Sequence, residues 1–358
     1  MKSPPRLLPN LRSPESAGKL SADSTAPKGN FPQILYPADG GLFPAAFATP
    51  ATWVRRALGA LCVGGALLGG GLAAAEWEPI GGIVGGPKNP GQVAYVEQLQ
   101  RMGAGPVAGI PEPILLWPQG APEAVPDASG VFTDEDKPAI YAFPAPASNN
   151  TGAAVLILPG GGFTNRCMDN EGVQVAKFLN RHGIAGFVLR YRIGPNYPRR
   201  AVSTIDAHRA MRLLRARATE FKIAPDRIGT IGFSAGGELQ GDAFYNAVLD
   251  GDPAALDPLD RVSTRANFNA LIYGGRDIRN PAAAAPTFLF NTIEDAGHLR
   301  VQVSVLNSLR QAGIPVEAHF NQVGPHGTAM SLGDPLLGDW PGLMVKWLRV
   351  GGFLGANR

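Results

Sequence analysis

Residues 228–237 read Ile-Gly-Thr-Ile-Gly-Phe-Ser-Ala-Gly-Gly, an apolar run that leads directly into a serine flanked by glycines. The apolar part is typical of a buried strand, and residues 232–236 match the Gly-x-Ser-x-Gly pattern of a sharp strand-to-helix turn. Glycines on either side of the serine let the backbone turn tightly and let the strand and the helix pack closely. An ordinary glycine-rich turn is the alternative, but the preceding strand favours an exposed nucleophile. The segment therefore predicts that Ser234 is a nucleophile.

Short apolar runs alternate with helical segments on both sides of this turn. Strands are predicted at 153–158, 184–191, 227–233, 268–273, 286–292 and 316–320, and helices around 173–179, 200–219, 299–312 and 343–350. Such alternation indicates βαβ units. The predicted fold class is α/β, with a mostly parallel central sheet and helices on both faces. Residues that follow the strands at their carboxyl ends are then the candidates for a site.

A glycine-rich loop, Pro159–Phe163, directly follows the predicted strand 153–158. A tetrahedral oxyanion needs amide N–H groups aimed at one point, and glycines permit such a close approach. We expect the amides of Gly161, Gly162 and Ala235 to form this oxyanion hole. A phosphate-binding loop is disfavoured because the Walker lysine and the spaced glycines of a dinucleotide site are absent from the sequence.

A serine nucleophile needs a histidine base and a carboxylate that orients it. Among the five histidines of the chain, His326 lies in a Gly-Pro-His-Gly loop after the last predicted strand. The chain order Ser…Asp…His of such hydrolases favours His326 as the base. His298 also lies in a predicted loop, but it comes too early in that order.

The orienting acid is expected after the penultimate strand, which ends near Thr292. Asp295 is the predicted acid, and its neighbour Glu294 and Asp277, which follows the preceding strand, are the alternatives. A Ser-His-Asp triad works without a metal or another cofactor, so neither is expected.

The first part of the chain has a different character. Residues 1–52 are rich in Pro, Ser, Gly and Ala, and we expect an unstructured or mis-started extension. Residues 53–75 combine two arginines, an apolar run and three alanines, the order of a signal peptide; a retained membrane anchor through residues 57–75 is the alternative. Residues 76–110 are expected to be a linker, and residues 111–358 the catalytic domain. Export to the periplasm or the extracellular space follows as an expectation.

The amino-acid composition limits the classes of molecule that the chain is expected to bind. A formal net charge of +3 is too small to indicate binding to nucleic acid, and 45% hydrophobic with 17% charged residues is typical of a globular chain. No partner protein is implied. Of the two cysteines, only Cys167 lies in the predicted domain, where a packed thiol is expected rather than a nucleophile.

Eight arginines and one acid, Asp206, lie between residues 190 and 217. A solvated helix face whose arginines pair with carboxylates elsewhere in the fold is the favoured interpretation. A patch that attracts an acidic polysaccharide, such as glucuronate-bearing xylan, is the alternative.

Together, these residues resemble the α/β-hydrolase superfamily, and within it secreted esterases related to acetylxylan esterases. The similarity extends from about Leu115 to Phe353, and the matching segments are 116–118, 120–122, 159–163, 169–172, 187–192, 206–210, 227–237, and those around Asp295 and His326. The resemblance implies a single α/β-hydrolase domain that removes short acyl groups, above all acetyl, from a small-molecule or polysaccharide ester.

The sequence departs from this family at four positions near the expected site. Glu238 replaces a usual histidine, Asn291-Thr292 a usual His-Ala, His298-Leu299 a usual Val-Pro, and Gly274 the proline of a usual Tyr-Pro pair. No triad member is lost. Two other functions are compatible with the same fold: a serine peptidase of the prolyl-oligopeptidase type, and a catalytically silent binding protein.

Overall fold

The structure, a computed structural model, describes residues 110–197, 200–332, 334 and 337–355. Eight strands of this part of the chain form one sheet in the order β1-β2-β4-β3-β5-β6-β7-β8. Their bounds are β1 (Ile114–Leu115), β2 (Ala139–Phe143), β3 (Ala154–Leu158), β4 (Ala185–Arg190), β5 (Ile228–Phe233), β6 (Asn269–Ile272), β7 (Thr287–Thr292) and β8 (Val316–Asn321). β2 is antiparallel to both β1 and β4, and all other neighbours are parallel.

Six α-helices lie in the described residues: α1 (Gln174–Arg181), α2 (Arg200–Ala216), α3 (Ala218–Phe221), α4 (Ala235–Gln240), α5 (Ala296–Gln311) and α6 (Trp340–Val350). π-Helical turns, Asp169–Val173 and Gly241–Asn246, precede α1 and follow α4. Glycine and proline residues lie at the ends of some of these helices. Gly183, with φ of 74°, follows α1, and Pro341 sits in the first turn of α6, where its missing N–H costs no helical hydrogen bond.

The two faces of the sheet bury separate apolar clusters. Along β3, Val155 and Ile157 pack on one face with α1 and α6, whereas Ala154, Leu156 and Leu158 pack on the other with α2. This alternation is the period-two pattern of a strand buried on both sides. The predicted α/β architecture, with a mostly parallel sheet and helices on both faces, is therefore confirmed.

The predicted elements differ from the structure mainly at their ends. The helix expected over 200–219 ends at Ala216, and α3 follows as a separate short helix. β1 and β2 were not predicted as strands. β2 has the sequence Ala-Ile-Tyr-Ala-Phe between prolines, and nothing in so short a run separates a strand from a loop until its pairing with β4 buries it.

The predictions for residues 1–109, namely the extension, the leader or anchor and the linker, lie outside the described residues. Within the described part, no helix has the length and apolar character needed to cross a membrane.

Candidate active site

Ser234 lies where β5 turns into α4. Its backbone has φ 48° and ψ −119°, a positive-φ conformation that is uncommon for a residue with a side chain. A Cβ on Gly236 would lie 2.0 Å from the carbonyl oxygen of Leu158, so glycine is needed for α4 to start this close to β3. The sharp turn expected from the Gly-x-Ser-x-Gly pattern is present, and it leaves the Ser234 side chain partly accessible.

A chain of hydrogen bonds joins Ser234 to His326 and Asp295. The Ser234 hydroxyl oxygen lies 2.7 Å from Nε2 of His326, and Nδ1 of the same ring lies 2.7 Å from Oδ2 of Asp295. His326 follows β8, and Asp295 follows β7. The structure thus brings together all three predicted catalytic residues, in the geometry that lets an imidazole remove a hydroxyl proton.

The two alternative acids, Glu294 and Asp277, make other contacts. Glu294 accepts a hydrogen bond from the amide of Gly324 at 3.0 Å, which orders the loop before His326. Asp277 contributes its backbone carbonyl to Asn246. Of these three acids, only Asp295 is hydrogen-bonded to His326.

Asp295 also forms a hydrogen bond with a second histidine, His298. Nδ1 of His298 lies 2.9 Å from Oδ1 of Asp295, and the rings of His298 and His326 stack with centroids 4.1 Å apart. Burial opposes ionisation of Asp295, but the hydrogen bonds and charges of both histidines outweigh it and hold the pKa of this carboxyl below its ordinary value. The hydrogen bond with Asp295 in turn raises the pKa of His298. Asp295 is therefore an anion at neutral pH.

The glycine-rich loop lies directly beside the serine. A Cβ on Gly160 would come within 2.9 Å of Cβ of Ser234. Within the described chain, nothing accepts a hydrogen bond from the amides of Gly161, Gly162 and Ala235. These three amides, predicted as oxyanion donors, are available to a ligand.

Glu171 is a part of the site that sequence reasoning did not assign. Its buried carboxylate accepts hydrogen bonds from the amide of Gly160 at 2.7 Å and from the hydroxyl of Tyr273 at 2.8 Å. The Tyr273 oxygen accepts from the amide of Ala329, so Glu171 joins the glycine loop to the segment after His326. Burial raises the pKa of Glu171, although both hydrogen bonds and the charge of His326 oppose this.

A cavity of about 310 Å³ opens over the serine. It is lined by Gly161, Gly162, Thr164, Asn165, Cys167, Glu171, Ser234, His326 and Gly327. Ser234, His326 and the glycine loop therefore face one common space, the arrangement that acyl transfer would require.

The chain is similar in sequence to an acetylxylan esterase and to a xylanase. The BD-FAE family model matches residues 140–265. A stretch of 125 residues is 31% identical to an acetylxylan esterase of Xylanibacter ruminicola, covering 35% of this chain and 23% of that protein. A longer stretch of 219 residues is 27% identical to the endo-1,4-beta-xylanase B of Butyrivibrio fibrisolvens, covering 52% of this chain and 34% of that protein.

Among solved structures, the acetyl ester-xyloside bifunctional hydrolase of Caldicellulosiruptor lactoaceticus superposes with a TM-score of 0.60 at 28% identity, over 70% of this chain and 100% of that one. The chain has the α/β-hydrolase fold and is similar to acetylxylan esterases. It spans about a quarter to a third of the length of the curated relatives it matches.

Glu238, one of the residues that differ from the family pattern in the sequence, lies beside the site. Glu238, one turn after Ser234, forms ion pairs with Arg200 and Arg276. Arg200 also lies over the ring of Phe163, 4.6 Å from its centroid, at the end of the glycine loop. These contacts surround the nucleophile helix without replacing a triad member.

Three of the four arginines of α2, namely Arg200, Arg209 and Arg212, pair with carboxylates, as the favoured interpretation predicted, but Arg209 and Arg212 are largely buried rather than solvated. Arg192 and Asp206 form a fully buried ion pair at 2.6 Å, and Arg209 pairs with Asp257 at 2.6 Å. Arg212 pairs with Asp260. The fourth arginine of α2, Arg215, instead donates hydrogen bonds to the backbone carbonyls of Pro225, Ser263 and Arg265.

The thiol of Cys167 is buried near the site, and its reactivity can be measured. Burial, and then the charge of Glu171, raise the pKa of this thiol, whose side chain is 1% exposed. The reactive thiolate is therefore scarce at neutral pH. We expect iodoacetamide to leave Cys167 unmodified in the folded chain and to alkylate it fully after denaturation, as read by peptide mass mapping. Rapid alkylation of the folded chain would show that the thiol is accessible and ionised.

Proposed function

We propose that this α/β-hydrolase is a serine carboxylester hydrolase that removes short acyl groups, acetyl above all, from a carbohydrate. The observation that carries the proposal is the hydrogen-bonded series Ser234–His326–Asp295 beside the free amides of the glycine loop. The esterase and acetyl ester hydrolase names of its relatives support the same reaction.

In the first half-reaction, the acyl group of the ester is transferred to the Ser234 oxygen. Nε2 of His326 takes the hydroxyl proton as the Ser234 oxygen attacks the ester carbonyl carbon. The carbonyl oxygen becomes an anion, which the amides of Gly161, Gly162 and Ala235 stabilise. The imidazolium of His326, held by anionic Asp295, then protonates the leaving alcohol oxygen, and the acyl group stays on Ser234.

The second half-reaction reverses these roles with water. His326 removes a proton from a water molecule, the resulting oxygen attacks the acyl carbon, and the proton returns to Ser234 as the carboxylic acid leaves. No step needs a metal or another cofactor.

Two features support a short acyl group. The cavity is small, about 310 Å³, and glycines and polar side chains form most of its lining. The segment between the nucleophile helix and β6, residues 241–268, packs against α2 through Arg209–Asp257 and Arg212–Asp260. A segment fixed to α2 by ion pairs is poorly suited to cover a long apolar chain, whose burial is worth about 0.8 kcal/mol per methylene.

We therefore expect kcat/KM for p-nitrophenyl esters to fall from acetyl through butyryl to octanoyl, by about tenfold or more over the series. The same assay with acetylated xylo-oligosaccharides should release acetate, and peptide substrates should not be cleaved. Subtracting the rate of Ser234→Ala removes spontaneous hydrolysis. Activity that rises towards octanoyl would contradict the short-acyl proposal, and peptide cleavage would favour the peptidase alternative.

A further inference from the structure

His298 has no task in the proposed two-step reaction, although it touches the machinery directly. It lies in the first turn of α5. Its ring stacks on that of His326 at an interplanar angle of 15°, and both rings reach the same carboxylate. The side chains of His298 and His326 are 33% and 30% exposed, so solutes can reach both.

We infer that Asp295, His298 and His326 form a binding site for a divalent transition-metal ion such as Zn²⁺, and that occupation of this site switches the enzyme off. One ligand atom from each residue lies within 4.8 Å of the others. Zinc binds imidazole nitrogen at about 2.0–2.1 Å and carboxylate oxygen at about 2.0–2.2 Å. Small side-chain rotations are enough to bring three atoms at this spacing around one ion, and solvent supplies the fourth ligand.

The chemistry of the ligands selects the metal. Two imidazoles and one carboxylate suit Zn²⁺, Cu²⁺ and Ni²⁺. Ca²⁺ prefers six to eight oxygen ligands, and Mg²⁺ prefers an octahedral oxygen shell with several waters. The side chains of His298, His326 and Asp295 offer too few oxygens for either of these ions.

Binding inhibits because of the tautomer it imposes on His326. In the triad, Nδ1 of His326 carries a proton towards Asp295, which leaves Nε2 free to accept the proton of Ser234. A metal ion on Nδ1 takes the lone pair there, so the ring proton moves through solvent to Nε2. An imidazole protonated on Nε2 cannot act as a base towards Ser234. The ion also replaces the hydrogen bond between His326 and Asp295.

Metal binding can be measured without catalysis. In full-length Ser234→Ala, which retains the three ligands, titration calorimetry with ZnCl₂ should show one ion bound per chain. Adding His298→Val or His298→Gln should weaken zinc binding about tenfold or more, while the melting temperature reports that each variant is folded. His319→Gln is the matched control, because His319 pairs with Glu317 on β8 and is outside this group of ligands. Absence of zinc binding in folded Ser234→Ala would overturn the inference.

Inhibition is measured on the active chain and rests on the proposed ester hydrolysis. Zinc should inhibit hydrolysis of p-nitrophenyl acetate, EDTA should restore it, and MgCl₂ should have no effect. Relative to the uninhibited rate of each variant, His298→Val should need about tenfold or more zinc for half-inhibition, and His319→Gln should match the unsubstituted chain. Equal zinc sensitivity of His298→Val and the unsubstituted chain would refute the site. Absence of ester hydrolysis would refute the proposed function, and the calorimetry would still decide the metal site.

Discussion

Ser234→Ala is expected to lower kcat/KM for p-nitrophenyl acetate by about 10⁴-fold or more. The hydroxyl oxygen of Ser234 forms the acyl bond in the proposed reaction, and no other hydroxyl is hydrogen-bonded to His326 among the described residues. The variant should still fold, because alanine is smaller than serine and the turn at φ 48° already holds a residue with a Cβ. Initial rates of ester hydrolysis and the melting temperature measure the two effects.

A fluorophosphonate probe provides the second measurement for the same variant. It should label the unsubstituted chain on Ser234 and leave Ser234→Ala unlabelled. Ser308→Ala, on α5 and outside the cavity lining, is the matched control and should keep both labelling and turnover. A folded chain that neither reacts with the probe nor hydrolyses acetyl esters would instead support the silent binding protein.

Asp295→Asn is expected to lower kcat for the same ester by about 10⁴-fold. An amide at this position can donate a hydrogen bond to Nδ1 of His326, and the proton of the ring then lies on Nε2, where a base is needed. The loss also removes the negative charge that stabilises the imidazolium in the transition state. Steady-state kinetics of the purified variant measure kcat and KM separately, and the loss should appear in kcat.

Two neighbouring acids are the controls for Asp295→Asn. Asp277→Asn and Glu294→Gln remove a charge of the same sign without touching His326, and each should keep kcat within about tenfold. If Asp277→Asn proved the more damaging change, the acid would belong after β6 and the proposed role of Asp295 would be wrong.

The turn at Ser234 could be predicted from the sequence because the residues that form it are adjacent in the chain. A buried strand, two small residues and a serine must be adjacent in the chain for a sharp strand-to-helix turn to form, and all of them lie within Ile228–Gly236. The proximity of His326 and Asp295 to that serine followed from topology. Adjacent parallel strands end at the same edge of a sheet, so the loops after β7 and β8 had to lie beside each other.

The remaining parts of the site depend on contacts that no local pattern contains. The carboxylate of Glu171 accepts a hydrogen bond from the Tyr273 hydroxyl across 102 residues of sequence, and it also accepts one from the amide of Gly160 in the glycine loop. His298 shares Asp295 because α5 begins at Ala296 and directs its first turn back towards His326. The sequence placed His298 in a loop before a helix expected to start at Leu299, and that shift of one turn concealed its contact with Asp295.

The order of the catalytic groups along the chain also has a consequence for synthesis. Ser234 and the glycine loop leave the ribosome first, whereas the base that acts on Ser234 follows 92 residues later. At about 5–20 residues per second, a growing chain holds the nucleophile for several seconds or more without the group that activates it. Under the proposed mechanism, such a chain lacks the base that would activate Ser234. The proposed ester hydrolysis therefore requires β8 and the loop after it, which carries His326.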